Sequence, residues 1–471
     1  MKRILIGTAL LIQSAVLYQS AAAQLTLGGA LHRADQAAFA NRIAAAAASE
    51  KQADALAPLK GILPSIRVEA GYVRTTDPIG AFGSTLRQRA ITQADFQPSR
   101  LNYPGAISNY QSGIVLEAPI LNVDAWLGRR AALRASDASQ SSEVWTRLTV
   151  RVDVIRAYYS AVLSAERATM LRSAVRAAHA HQTQAEAMVR QGMVTKSDAL
   201  LAAVRAGEMD AQLAETEGAA AIARRQLAVL LGGDGIDLPA DMPALALLPS
   251  AERIRAVVGA DTSSISTQLR ADVDAAAHGL DAARADALRA RSTSLPRINS
   301  FARYDWNSPD RPYAGDRNWT AGIMASWSPF AGASEIADVR SASAREGQAR
   351  AGVDAAQANA RLDVAQTRTT LAVALARLAI AERAVAQSAE AHRIVSRKYE
   401  GGLATVVELL DAQTAETQSS LSFAQSRYAV IVSAAERRRA VGSDPATLVA
   451  LDDAPTTVSS TPGATSNHEP Q

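Results

Sequence analysis

The chain has 471 residues, of which 48% are hydrophobic but only 4% aromatic, and its 49 basic and 46 acidic residues leave a net charge of +3. Apolar content carried mainly by alanine suits close helix-to-helix contact better than a thick globular core, and so balanced a charge excludes the basic field that a nucleic-acid partner would require. Cysteine is absent, which excludes disulfides, thiolate metal sites, a thiol nucleophile and a lipidated cysteine.

Residues 1–23 read as a secretory signal: Lys2 and Arg3, an apolar run from Ile4 to Tyr18, then Ala21, Ala22 and Ala23 before Gln24, the expected mature start. A membrane anchor is the other reading of this run, which is short for a span of about 20 residues. Residues 25–62 read as helix, with an alanine-rich stretch that ends before Gly61 and Pro64. From Leu63 the grammar changes to short alternating runs, IRVEAGYVRTT and SNYQSGIVLEAP, separated by Gly, Pro and Asn, which predict a strand pair within about 63–119. A long helical tract follows over about 120–232, where Leu148, Val152, Ile155, Tyr159 and Val162 step by four and three as in a left-handed coiled coil.

The second half repeats this order. Asp54-Ala55-Leu56 and Leu63-Pro64 reappear as Asp286-Ala287-Leu288 and Leu295-Pro296, ahead of a second strand pair within about 295–329. A second helical tract over about 330–442 carries Val364, Leu371, Leu378 and Val385 at seven-residue steps. At a fixed offset of 210, Pro119 falls on Pro329, Gly192 on Gly402, Thr195 on Thr405, Asp198 on Glu408, Gly232 on Gly442 and Asp234 on Asp444. Gly192 and the pair Gly401-Gly402 are the predicted breaks that fold each tract into two antiparallel helices. The expected organisation is therefore a first repeat over 24–234, a second over 235–451, and a disordered tail over 452–471, rich in Pro, Ser and Thr.

Of the six Phe, five Trp and ten Tyr, twelve lie within 63–119 and 295–330. Aromatic residues on short alternating strands are what a membrane barrel places at its two interfaces. Four strands alone would leave unpaired edges in lipid at several kcal/mol per group, so other copies of the chain must complete the barrel, with the helices as a tube continuing from it.

The Leu-Pro pairs before the strands, Pro119 and Pro329 after them, and the twin G-x-x-[TA]-x-x-[DE] openings resemble those of the TolC-like outer membrane efflux proteins, over roughly 25–450. The resemblance implies a mainly α protein with a membrane β-barrel part: a homotrimer with a twelve-stranded barrel in the outer membrane of a Gram-negative bacterium and a helical tunnel through the periplasm. The implied partners are a periplasmic adaptor and an inner-membrane pump. It places Glu408 and Asp411 at the narrow periplasmic entrance, where three copies make acidic rings, and matches Tyr399, Asp198 and Ser197 to residues that hold the entrance shut. Carboxylates that only complement a helix N-terminus are the plainer reading of Glu408 and Asp411. Ala404 stands where some relatives place a bridging arginine, so that salt bridge cannot form, and Lys196 is a candidate replacement.

Other signals have plainer readings. His179 and His181, two apart on a helix, diverge and are read as solvated rather than as a metal pair. GGDGIDLPA at 232–240 is read as a helix stop instead of a calcium repeat, because Pro239 takes the large apolar slot. Arg437, Arg438 and Arg439 suit the negative end of a last helical turn. Neither a phosphate loop nor a metalloprotease or nucleophile-elbow motif occurs, so a passive duct, without cofactor, metal or catalytic residues, is the expected function. The rival is a soluble periplasmic coiled-coil adaptor or scaffold without a pore; an exported enzyme on a helical scaffold would need convergent polar residues that the sequence does not show.

Overall fold

The computed structural model describes residues 25–233, 248–261 and 270–451. The signal at 1–23, the tail at 452–471, the boundary at 234/235 and most of the glycine-rich stretch after Gly233 lie outside them. Ten α-helices and four strands are described. The helices are α1 (Leu27–Ala37), α2 (Phe39–Asp54), α3 (Pro78–Arg87), α4 (Pro98–Asn102), α5 (Val123–Arg190), α6 (Lys196–Leu230), α7 (Ala251–Asp261), α8 (Ala271–Ser292), α9 (Ser334–Glu400) and α10 (Val406–Ala440). The strands are β1 (Ser65–Thr75), β2 (Ile107–Leu121), β3 (Arg297–Ser308) and β4 (Asp316–Ser326). The chain divides into two compact units: one within Met1–Arg42, Thr146–Gln268 and Arg361–Gln471, the other within Ile43–Trp145 and Leu269–Ala360.

The second of these holds the sheet, antiparallel throughout in the order β1-β2-β3-β4, so that β1 and β4 are its edges. Period-two alternation sorts its side chains. One face carries Ile66, Val68 and Tyr72 of β1, Ile114 and Leu116 of β2, Tyr304 and Trp306 of β3, and Trp319 and Ile323 of β4, by the observed register. Much of this face is open: Ile66 and Ile323 are each 72% exposed and Trp319 76%. The other face is charged. Arg67 pairs with Glu69 (3.5 Å) and Glu117 (3.7 Å), and Arg303 with Glu69 (3.5 Å) and Asp305 (2.7 Å). Gly113 makes room for that network, since a Cβ there would stand 2.5 Å from Asp305 Oδ1.

Two elements differ from the sequence reading. The helix expected over 25–62 is broken at Ala38, whose ψ of 131° is extended. Asn41 Nδ2 donates to the Ala34 carbonyl (3.1 Å) and so supplies a partner at the broken end. Beyond Asp54 the chain tightens into a 3-10 turn, Ala57–Gly61, with a proline in its first turn. The interval between β1 and β2, within the strand pair expected over 63–119, is largely helical. Asp77 caps α3 by accepting from Gly80 N (2.6 Å) ahead of Pro78, and Pro98 opens α4.

The other unit is helical. Its core joins Val152, Ile155, Tyr159 and Val162 of α5 to Leu371 and Leu378 of α9, Val430 and Ile431 of α10, Leu227 of α6, Leu31 of α1 and Ile254 of α7. The seam positions that alternate with Leu371 and Leu378 are alanines, Ala374 and Ala381, both buried, and small residues there let neighbouring helices approach closely. Arg151 donates to Asp35 from Nε (3.1 Å) and Nη2 (2.7 Å) and to Asp444 from Nη1 (2.6 Å). Of the three terminal arginines, Arg438 is buried and donates to Thr447 Oγ1, which pins the last 3-10 turn, Pro445–Leu451, to the helix it follows. No described helix is long and apolar enough to cross a membrane.

Candidate functional site

The two tight turns that join α5 to α6 and α9 to α10 are built alike. At the end of α5 the Gly192 N–H donates to the Val189 carbonyl (3.0 Å) and the Met193 N–H to that of Met188 (2.9 Å). At the end of α9 the Gly402 N–H donates to the Tyr399 carbonyl (3.0 Å) and the Leu403 N–H to that of Lys398 (2.8 Å). Both are Schellman closures, which need a left-handed residue one place beyond the cap. Gly192 (φ 73°) and Gly402 (φ 72°) supply it, while Gly401 sits at the cap itself. No heavy atom lies within 4 Å of a Cβ built at Gly192 or Gly402, so backbone conformation alone requires glycine there. Gly402→Ala is therefore expected to cost about 1–2 kcal/mol, read as increased amide hydrogen exchange confined to residues near the turn; unchanged exchange would show that the turn accommodates alanine.

Three residues on, each turn opens its next helix with a capping box. Asp198 Oδ2 accepts from Thr195 N (3.0 Å) and Thr195 Oγ1 (2.9 Å), while the Asp198 N–H donates to Thr195 Oγ1 (3.3 Å). Glu408 Oε2 accepts from Thr405 N (2.7 Å) and Thr405 Oγ1 (3.1 Å), and its N–H donates back to Thr405 Oγ1 (3.3 Å). The Thr405 backbone and hydroxyl hydrogen bonds, helped by the charge of Lys398, hold the Glu408 carboxyl below the usual carboxylate range. Asp411 lies three residues further along α10, on the same face. Both carboxylates are exposed, and the Asp411 side chain has no hydrogen bond or ion pair among the described residues.

Tyr399 is not at the surface. It is 6% exposed, packed with Val406, Leu409 and Leu410 and backed by Met188, Leu201, Val395 and Ala404. Its hydroxyl donates to Met188 Sδ (3.3 Å), which ties α9 to α5. Burial, and then the negative charge of Asp198, push the phenol up. The structure thus brings Tyr399 and Asp198 together, and it brings Glu408 and Asp411 onto one face. Ser197 is exposed on the first turn of α6, and its side chain has no hydrogen bond among the described residues. Lys196 is the first residue of α6, exposed and without an ion pair among the described residues. Ala404 contributes an apolar contact where an arginine would bring a charge.

Sequence reasoning missed Met188 as the partner of Tyr399, because the two stand 211 residues apart. It missed Thr195 and Thr405 as caps, although their T-x-x-[DE] spacing was a readable signal. The expectation that His179 and His181 are both solvated holds for His179, which pairs with Asp210 (3.0 Å). His181 is half-buried, and burial together with nearby His392 lowers its pKa. Among the described residues no group of three or more His, Cys, Asp or Glu could hold a metal ion.

The model of the outer membrane efflux protein family matches residues 30–233 and again 263–459. No curated protein matches the chain significantly. Among solved structures, the CmeC outer membrane channel of Campylobacter jejuni is similar at a TM-score of 0.72 and 16% identity, covering 88% of this chain and 85% of that one. The outer membrane protein VceC of Vibrio cholerae gives 0.69 and 19%, covering 88% and 96%. The open state of the MtrE outer membrane channel of Neisseria gonorrhoeae gives 0.69 and 18%, covering 89% of each chain.

Proposed function

The chain belongs to the outer membrane efflux protein family, and from that membership we propose that it is the exit duct of a tripartite efflux or type I secretion system, receiving substrates from an inner-membrane pump and a periplasmic adaptor. The observation that carries this is the sheet. A four-stranded sheet with two unpaired edges, an open apolar face and a charged opposite face would be an aggregation site in water. In a bilayer it satisfies its edges only by joining sister sheets, apolar face toward lipid and charged face toward a lumen. Three protomers give twelve strands. The helices support the same assembly: Val373, Ile380 and Ile394 of α9 are exposed at one heptad position, as are Ile222 and Val229 of α6, apolar stripes suited to neighbouring protomers around a periplasmic tunnel.

In this reading the two halves, 24–234 and 235–451, are tandem repeats, and Gly192, Gly401 and Gly402 form the turns at the tunnel entrance. Glu408 and Asp411 form acidic rings there. Tyr399, with Asp198 and Ser197 on the facing helix, belongs to the contacts that hold the entrance shut. With Ala404 in place of an arginine, apolar packing around Tyr399 takes the part a salt bridge would have. A duct needs no cofactor, and its residues conduct without covalent chemistry.

The test is extraction and reconstitution. The protein should leave membranes only with detergent, cross-link as a trimer, and open ion-conducting pores in a planar bilayer. A monomer extracted by buffer alone and without conductance would replace the duct with the soluble scaffold.

A further inference from the structure

The segment between β1 and β2 folds back across the sheet. It has its own small core, with Ala81 1% exposed and the Phe82 and Phe96 rings edge to face at 5.8 Å. Gln88 Nε2 donates to the Ser108 carbonyl (2.8 Å) and to Asn109 Oδ1 (2.9 Å), and Asn109 Nδ2 in turn donates to Asn307 Oδ1 (3.0 Å). Asn109 and Asn307 are 3% and 2% exposed, and by register both side chains belong to the charged face. Arg89 reaches further: Nη2 donates to the Arg317 carbonyl (3.2 Å), and Nε lies 3.8 Å from Asp316 Oδ1. A connection between β1 and β2 that grips β4, the far edge of a β1-β2-β3-β4 sheet, must cross the charged face to do so. By contrast, the short β3–β4 turn folds onto the apolar face, where Tyr313 N donates to Ser112 Oγ (3.1 Å) and its ring meets Trp306 at 6.0 Å.

We propose that residues 76–106 are a folded cap over the outer mouth, three copies of which narrow the exit and exclude bulky molecules arriving from outside. This rests on the barrel reading, which turns the charged face inward; loops tethered to that face then lie over the lumen instead of standing away from it. The bonds from half-buried Gln88 to the buried Asn109–Asn307 pair and the Arg89 contacts with β4 are what hold the cap inward, since unpairing a buried amide leaves polar groups without partners.

The absence of cysteine allows a direct test by thiol labelling of intact cells. Thr320 is exposed on the charged face, opposite Arg303 and beyond the cap's tethers, and Arg311 in the β3–β4 turn is an exposed surface control. Thr320→Cys should react with a small maleimide at the same rate whether the cap is native, loosened by Gln88→Ala with Arg89→Ala, or replaced over 79–103 by a short Gly-Ser turn. A maleimide carrying a long polyethylene glycol chain should react at least about tenfold faster once the cap is loosened or removed. Equal rates with that bulky reagent, capped and uncapped, would overturn the cap and leave the barrel standing. Failure of both reagents at Thr320→Cys, with Arg311→Cys labelled normally, would overturn the barrel reading itself. Should the shortened loop fail to reach the surface, as Arg311→Cys reports, the double alanine variant carries the comparison.

Discussion

Glu166→Ala is expected to destabilise the helical unit by about 3–5 kcal/mol, because it strands a buried guanidinium. The Glu166 and Arg427 side chains are 8% and 9% exposed and form an ion pair linking α5 to α10. The segment ahead of α7 is threaded through the same pair: Arg427 Nη1 donates to the Leu248 carbonyl (2.9 Å), and Glu166 Oε2 accepts from the Leu248 N–H (3.2 Å). Removing the carboxylate therefore leaves a buried charge without its counter-ion and a backbone N–H without its acceptor, next to the buried Leu248 side chain. Phe423, whose ring lies 4.9 Å below the guanidinium, supplies only part of the lost interaction. Glu166→Gln keeps an acceptor for Leu248 and should cost less than the alanine change. Glu166→Leu combined with Arg427→Met removes both charges and should recover much of the loss. Denaturant unfolding followed by helical ellipticity, at matched detergent, orders the four proteins. An alanine variant as stable as the parent would mean that water replaces the carboxylate.

That pair also marks a limit on what can be read from a single chain. Features written in local pattern were legible: the four-three spacing that buries Val152, Ile155, Tyr159 and Val162, the turn glycines, and the alternation of the strands. Glu166 and Arg427, like Met188 and Tyr399, are joined only by tertiary approach, 261 and 211 residues apart, and nothing local distinguishes a charge that finds a buried partner from one that meets water. Between β1 and β2 the failure was different. Asp77-Pro78 and Gln97-Pro98 carried ordinary helix-start signals, but strand grammar on both sides drew the whole interval 63–119 into a strand pair. Residues 251–261 and 271–292 form helices whose short apolar patterns lack the long seam that made α5 and α9 conspicuous. At the turns, the sequence left Glu408 between two roles, entrance charge and complement to a helix N-terminus, and one protomer shows the second in the form of a capping box.

Those two roles separate by substitution. Glutamine fills the third position of a capping box as glutamate does, so Glu408→Gln keeps acceptor oxygen for the Thr405 N–H and hydroxyl while removing the charge. Combined with Asp411→Asn, it should lower the cation-over-anion permeability ratio of the reconstituted pore roughly two- to tenfold and relieve block by multivalent cations, with a smaller loss of thermal stability than Glu408→Ala causes. Glu408→Ala should lose both the selectivity and the cap. Acidification offers an independent check with a definite sign. Hydrogen bonds from Thr405 and the charge of Lys398 depress the Glu408 pKa, so the part of the cap that depends on its charge is complete above the unfolded-state value and is lost as pH falls through the lower folded value. Its charge persists over the same interval. In a pore where Asp411→Asn leaves Glu408 as the remaining entrance carboxylate, cation preference should therefore survive into the range where ordinary glutamates protonate, and decline only below it. Selectivity that is identical in Glu408→Gln with Asp411→Asn and in the parent would leave Glu408 as a helix cap and remove both carboxylates from the constriction.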